Sequence, residues 1–400
     1  MFQALFNSLS GLFSFSRSLN TISNNVSNMN TPGFHGSDVF LANVAGSHGV
    51  RVAGEGLRDQ TGDLRQTSND TDVAIKGAGY FILRDPTGNL HYTRAGQFHF
   101  DDKGILVDST TQYQVMAYDN TGALNPINRN SYNTLAAQAT TKVRIQGNIV
   151  PTASATPPAI TNNIVVYDSQ GVTHKLAVTF TAVPPVAPAT TTTGKYDVKI
   201  TDEANNDLGH SQIQFDVNLG TMLANGTSTA NITITATLPV AGGSQAITFD
   251  FGPPGAPNGS VTTFSNIGAS LGSHVDDGHG VLSISSMKFD GRGVLQFTYS
   301  ATETRAGPQL ALATFPNEAA LHLDGDRMIA GSSVSVRNLG RPGDAGFGEI
   351  VGRSLEMSNV DLTQEFADMI IVQRGYQASS RVMTVSNEMI EQLYNSTRGG

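Results

Sequence analysis

The sequence has no cysteine and no tryptophan, and only 14% of its 400 residues are charged. Without cysteine there is no disulfide framework and no thiolate metal site. The absence also suits a chain that crosses unfolded from a reducing to an oxidising compartment. No block of Lys and Arg stands out and the formal charge is −9, so nucleic acid is not an expected partner. No window approaches 18 uninterrupted apolar residues, so no membrane insertion is expected. The opening stretch "MFQALFNSLSGLFSFSRSLN" lacks a basic n-region, Asn7, Ser8 and Ser10 break its apolar run, and no small-residue cleavage site follows. A cleaved signal peptide is therefore not expected. Also missing are a G-x-S-x-G elbow, a P-loop, an H-E-x-x-H pair and a dinucleotide fingerprint. The chain reads as no enzyme, with no cofactor.

Proline is absent from residues 1–31 and 343–400, whereas ten of the sixteen prolines lie in 149–282. The two ends can be continuous helix and the middle cannot. Near the N-terminus, apolar residues including Leu5, Leu9, Leu12, Leu19, Ile22, Val26 and Met29 recur in steps of three and four, a heptad-like stripe. Pro32-Gly33 then stops it. At the other end Asp361 is the expected N-cap, with Gln364 three residues on as in a capping box and Glu365 in the first turn. One stripe then includes Leu362, Phe366, Met369, Tyr376, Met383 and Ile390; a second runs Ile371, Ala378, Val382, Val385, Met389, Leu393. Two apolar seams on one helix, roughly 50 Å long, mean more than one partner.

Between the ends the period changes to two. "DVAIKGAGYFILRD" (72–85) and "HYTRAGQFHFDDKGILVDSTTQYQVMAYD" (91–119) read as strands and tight turns, and "SSMKFDGRGVLQFTYS" (285–300) matches them. Residues 149–282 hold twenty threonines and only three of the 24 basic residues. Their strand candidates are 163–167, 173–181, 195–201, 211–217, 231–238 and 245–251, which suits an inserted sandwich or barrel. Pro- and Thr-rich linkers stand at 151–159 and 183–194.

The expected fold is mixed α and β and multidomain, with a coiled-coil inner domain and two nested, mainly-β outer domains. The boundaries are 1–29 with 362–400 for the helical core and 30–70 with 340–361 for a glycine-rich linker or hinge layer. The first β domain takes 71–148 with 283–339, and the inserted β domain 149–282. Two loops carry metal-like donors. His274, Asp276, Asp277 and His279 have no helix or strand to fix their directions and read as ordinary loop residues. Asp324 and Asp326 lack the later ligands of a calcium loop and read as a turn.

The stretch 20–36, "NTISNNVSNMNTPGFHG", sets a helical pattern on residues that favour caps and turns. The expectation is a terminus too weak to fold alone, whose Leu19, Ile22, Val26 and Met29 are buried between neighbouring helices. Asn24, Asn25 and Asn28 then make the polar helix contacts, across to adjacent chains or toward a water-filled lumen. Helix content should rise on assembly.

"SNNVSNMNTPGF" (23–34) and "SLEMSNVDLTQEFADMIIVQRGYQASSRVM" (354–383) together resemble the two terminal signatures of the bacterial flagellar rod and hook axial proteins. "TDVAIKGAGYFIL" (71–83) and "YTRAGQFHFDDKGILVD" (92–108) resemble the β core that follows. Rod members are shorter and lack a large insert, so this chain is similar to the hook-forming members; a distal-rod protein with an insertion is the alternative. His35 stands where the family usually has a basic residue, and Ser23 and Ser27 where alanine is frequent. The resemblance implies a homopolymer, a curved hollow tube acting as a universal joint that passes torque from rod to filament. It implies export by the flagellar type III apparatus and extracellular assembly in the hook. The implied partners are further copies of the chain, the distal rod protein, the hook cap protein and the hook-filament junction protein. A secreted adhesive or carbohydrate-binding β protein is the reading from another class; it needs exposed aromatics, and the insert has few.

Overall fold

The computed structural model describes residues 2–44, 49–119, 121–150, 159–184, 193–224, 230–316, 321–323, 325, 327–330 and 337–398. The turn at Asp324 and Asp326, and all but the edges of the linkers 151–159 and 183–194, lie outside these residues. The chain divides into two compact units, residues 1–133 with 284–400 and residues 134–283.

The first unit holds both long helices, α1 (Phe2–Ser27) and α2 (Leu362–Arg398), which pack on each other. Strands β1 (Ser37–Asn43) and β2 (Val50–Leu57) follow α1 as an antiparallel hairpin that lies against it. The short strand β3 (Leu64–Gln66) pairs antiparallel with Ser354–Glu356, the strand that leads into α2. Among the described residues the main sheet has eleven strands, with Tyr80–Arg84 near its middle. Tyr80, Ile82, Tyr92 and Met116 form a core with Phe315, where Tyr92 meets Phe315 edge-on at 5.1 Å.

Among the described residues the second unit packs two main sheets around one core. Four antiparallel strands, Ile160–Tyr167, Thr173–Val183, Thr193–Thr201 and Asp207–Asp216, make one sheet. The other, mixed, sheet contains Lys142–Asn148, Thr233–Val240 and Gly243–Asp250. Alternate residues point inward, so Val178, Phe180, Val198, Ile213, Ile247 and Phe249 are buried together. Each of the six strands expected in the Thr-rich stretch has its counterpart here. The strand Lys142–Asn148 belongs to this unit, whose first residue is Thr134.

One hairpin device recurs. Asp85, Asp101, Asp119, Asp168 and Asp290 each accept, at the backbone carbonyl, the N–H of a glycine three residues on. Those glycines, at 88, 104, 122, 171 and 293, all have φ between +71° and +97°. Only glycine adopts that backbone without strain. Each Asp Oδ1 also accepts the N–H four residues on, at 2.7–2.9 Å. Asp202 makes the same turn with Asn205 at φ +62°.

These bonds move the carboxyls. At Asp119 the Thr121 hydroxyl, and at Asp202 the Asn206 amide, hold the group below the ordinary carboxylate range. At Asp85 and Asp168 desolvation pushes upward, but Thr87, His91 and Asn89 at the first, and Val172 and His174 at the second, more than offset it. A lowered folded-state value gives stability that is complete above the unfolded value near 3.9 and is lost as pH falls through the folded one. The melting temperature should therefore hold down to about pH 5 and drop below about pH 4. A flat profile down to pH 2.5 would contradict this account.

Candidate functional site: the helix pair and its anchorage

The helices pack antiparallel, large against small. An added Cβ on Gly375 of α2 would sit 2.7 Å from the Phe15 ring of α1, and one on Gly11 would sit 2.9 Å from Ser379 Oγ. Ser386 lies on the same side of α2 and is buried. The close seam is thus made of glycine and serine, which let the helix backbones approach while Phe15 fills the space over Gly375.

The apolar positions divide between this seam and solvent. On α1, Ile22 is buried and Leu5, Leu9, Leu12, Leu19 and Val26 are half-buried; Met29, also half-buried, lies in the turn past the end of the helix. On α2, Leu362, Met369, Met383 and Ile390 are half-buried, but Phe366 and Tyr376 face out. The second seam of α2 is bare: Ile371 is 66% exposed, and Val382, Val385, Met389 and Leu393 are exposed with it. Phe13 of α1 is 70% exposed. Large apolar side chains in such number on a surface mark an interaction face.

Polar contacts tie α1 to the hairpin. Ser10 Oγ accepts the Val50 N–H at 3.2 Å, Arg17 pairs with Glu55 at 2.7 Å, and Thr21 donates to Glu55 at 2.9 Å. The strongest anchorage is where α1 ends and α2 begins. Asn25 is fully buried. Its Nδ2 donates to the Ser37 carbonyl and its Oδ1 accepts the Ser37 N–H, both at 3.0 Å. Nδ2 also stands 3.3 Å from both oxygens of Glu365, itself fully buried in the first turn of α2. Arg58, just past β2, reaches Glu365 Oε1 at 2.7 Å and Asp38 Oδ1 at 2.8 Å. Burial pulls the Arg58 guanidinium down, yet Asp38 and Glu365 outweigh this and hold it above its ordinary value. Asp361 caps the helix: its Oδ1 accepts the Thr363 N–H at 2.7 Å and the Gln364 N–H at 3.3 Å.

Asn25 departs from the expectation of reaching adjacent chains or a lumen, because the hairpin and Glu365 use its whole amide inside the chain. Asn28 donates back to the Asn24 carbonyl at 3.0 Å, and Asn24 is exposed. A signal for the Asn25 site did exist: Glu365 is the acidic residue of the first turn of an apolar-faced helix, yet nothing in the spacing named its partners.

The exit from α1 is equally constrained. Gly33 has φ +71°, and a Cβ there would lie 2.4 Å from the Ala95 backbone nitrogen. Gly33→Ala should cost at least about 1–3 kcal/mol, since the backbone position is strained for alanine and the obstacle is main chain. Urea unfolding measures it; a loss below about 0.5 kcal/mol would show that the exit relaxes freely.

The donor-rich loop at 273–280 is a structural corner. His274 lies on a strand, Gly272–Val275, contrary to the loop reading. Asp277 accepts the Thr141 and Lys142 N–H groups at 2.9 and 2.8 Å, Asp276 pairs with Arg144 at 2.7 Å, and His279 Nδ1 lies 2.7 Å from the Gly280 carbonyl. Among the described residues no group of three or more His, Asp or Glu side chains could hold a metal, and no helix is long and apolar enough to cross a membrane.

Three family models match the chain. One described as "Flagella basal body rod protein" covers residues 5–35, and one described as "Flagellar hook protein FlgE/F/G D1 domain" covers 74–153. The third, "Flagellar basal body rod FlgEFG protein C-terminal", covers 351–396. The flagellar hook protein FlgE of Salmonella typhimurium is 31% identical over 411 residues, covering 97% of this chain and 98% of its own. That of Escherichia coli K12 is 30% identical with the same coverage, and that of Treponema pallidum 28% identical over the full length of both chains. The crystal structure of Helicobacter pylori flagellar hook protein FlgE2 aligns with a TM-score of 0.45 and 13% identity, covering 73% of this chain and all of that one.

Proposed function

The chain belongs to the flagellar hook and rod protein family, and on that premise we propose how this structural axial protein, which works as a polymer, is built into a hook. Many copies line up their α1–α2 pairs as a coiled-coil inner tube, residues 1–29 with 362–400. The segments 30–70 and 340–361 form the joint, and the β regions 71–133 with 284–339 and 134–283 lie further out. The tube is curved and hollow and carries torque from rod to filament as a universal joint. It is extracellular and binds no cofactor, and the chain is no enzyme. Its neighbours are further copies, the distal rod protein, the hook cap protein and the hook-filament junction protein, after passage through the type III export apparatus.

One observation carries the reading. Ile371, Val382, Val385, Met389 and Leu393 line an exposed apolar face of α2 that borders the seam already closed by α1. Each large apolar side chain buried in a neighbour contributes roughly 1.5–3 kcal/mol, before ordering costs. The outer, Thr-rich stretch holds only three of the 24 basic residues, and on this reading its surfaces slide past one another through water as the tube bends.

The test is Ile371→Glu in the full chain. The side chain is exposed, so the monomer should melt within about 0.5 kcal/mol of the parent. Negative-stain microscopy after inducing polymerisation should show tubes for the parent, with a rise in helical circular dichroism, and none for the variant. Normal tubes from Ile371→Glu would remove this face from the assembly.

A further inference from the structure

We propose that His35 is a proton-operated clasp at the joint where α1, the hairpin and the approach to α2 meet. His35 is 3% exposed. Its Nδ1 lies 2.9 Å from the backbone carbonyl oxygen of Arg58, and its Nε2 lies 3.0 Å from Glu356 Oε1. A carbonyl oxygen only accepts, and so does an ionised carboxylate. A neutral imidazole has one N–H to donate. Both contacts are hydrogen bonds only if the ring carries two N–H groups or Glu356 carries the proton. In either case the pair holds one proton more than a neutral ring beside a carboxylate.

The surroundings make that proton matter. Glu356 is 1% exposed; its Oε1 also accepts the Gly62 N–H at 3.0 Å, and its backbone carbonyl accepts the Gly33 N–H at 2.8 Å. Among the described residues its buried Oε2 has no hydrogen-bond partner. The charged group facing it is Arg94, whose Nη1 stands 3.5 Å away and donates instead to the Gly77 carbonyl at 2.9 Å. The Arg58 guanidinium is committed to Asp38 and Glu365, so it presents only its backbone to the ring. Losing the proton leaves a buried lone pair against either the Arg58 carbonyl or the Glu356 carboxylate, which is costly at groups so deeply buried. The clasp is therefore closed on the acid side and opens as pH rises. It links three segments: the α1 exit at 33–36, the chain just past β2, and the strand Ser354–Glu356. Its consequence for the stiffness of a tube rests on the function proposed above; the clasp itself does not.

The experiment uses the full chain with 15N-labelled histidine and 13C-carboxyl-labelled glutamate, parent and His35→Gln, from pH 4.5 to 9. The His35 resonances are those missing from His35→Gln. They should show two protonated ring nitrogens, or one N–H with the second proton on Glu356 and a matching carboxyl shift, at the acid end. One titration step should follow, and the parent's melting temperature should fall across the same step by about 5 °C. His35→Gln should melt without that step. A ring that stays in one neutral tautomer beside an ionised Glu356 throughout overturns the clasp, as does a melting step retained in His35→Gln. If that variant does not fold, the parent's ring and carboxyl shifts decide alone. Polymerisation is not the readout, so the clasp can fail while the tube stands, and the reverse.

Discussion

Arg58→Ala is expected to cost about 3–5 kcal/mol, the loss typical of stranding one partner of a buried ion pair. The stranded group is Glu365, fully buried, with Arg58 at 2.7 Å as its cation and Asn25 as its neutral donor. The helix N-terminus favours the carboxylate by about 0.3–1 kcal/mol and cannot replace a guanidinium. The damage should be local first. The first turn of α2 and the Asn25–Ser37 link share this carboxylate, so both helices lose their hold on the hairpin. Urea unfolding gives the size. Arg58→Lys should fall between, because an ammonium loses the fork that spans Asp38 and Glu365. Arg58→Met with Glu365→Leu should recover part of the loss, since no unpaired charge remains. A cost below about 1 kcal/mol for Arg58→Ala would mean that water reaches Glu365 and the anchorage is not a buried pair.

Excision of residues 134–283 should leave a chain that folds and still polymerises, with altered curvature or stiffness of the tube. The cut ends are already neighbours: the Ile284 N–H lies 3.3 Å from the Asn133 carbonyl oxygen. Both flanks are held within the first unit. Tyr132 stacks on Phe297 at 4.5 Å and the Ser285 N–H bonds the Thr298 carbonyl at 2.8 Å. The removed unit has its own core, so two glycines between Asn133 and Ile284 close the gap without exposing the core around Tyr80 and Tyr92. Under the proposed function, material at large radius sets how spacing changes around a bend. Microscopy of tubes from the excised chain tests this. Complete loss of assembly would make 134–283 a primary adhesive element and end the proposed division between inner tube and outer surface.

The two helices and the six strands of the Thr-rich stretch were legible because each depends on local order: a step of three and four, a step of two, a D-x-x-G turn. The facing of α2 was not. Leu362, Phe366, Met369 and Tyr376 share a stripe, yet Phe366 and Tyr376 point to solvent while Gly375 and Ser379 take the seam. Periodicity ranks residues by hydrophobicity, and a large residue packed over a glycine inverts that ranking. Where the second unit begins is hidden for a related reason. Lys142–Asn148 looks like one more strand of the preceding meander, and only its parallel pairing with Gly243–Asp250 assigns it elsewhere.

The amino-acid order alone determined that proline-free ends become long helices, that β structure fills the span between them, and that no cysteine chemistry is available, because these follow from backbone geometry and composition. Tertiary structure alone decided that Asn25, Ser37, Arg58 and Glu365 meet, and that His35 faces Glu356 across 321 positions of chain. Charges and amides find such partners only after burial removes water as the alternative, and which groups are buried together is a property of the packed fold.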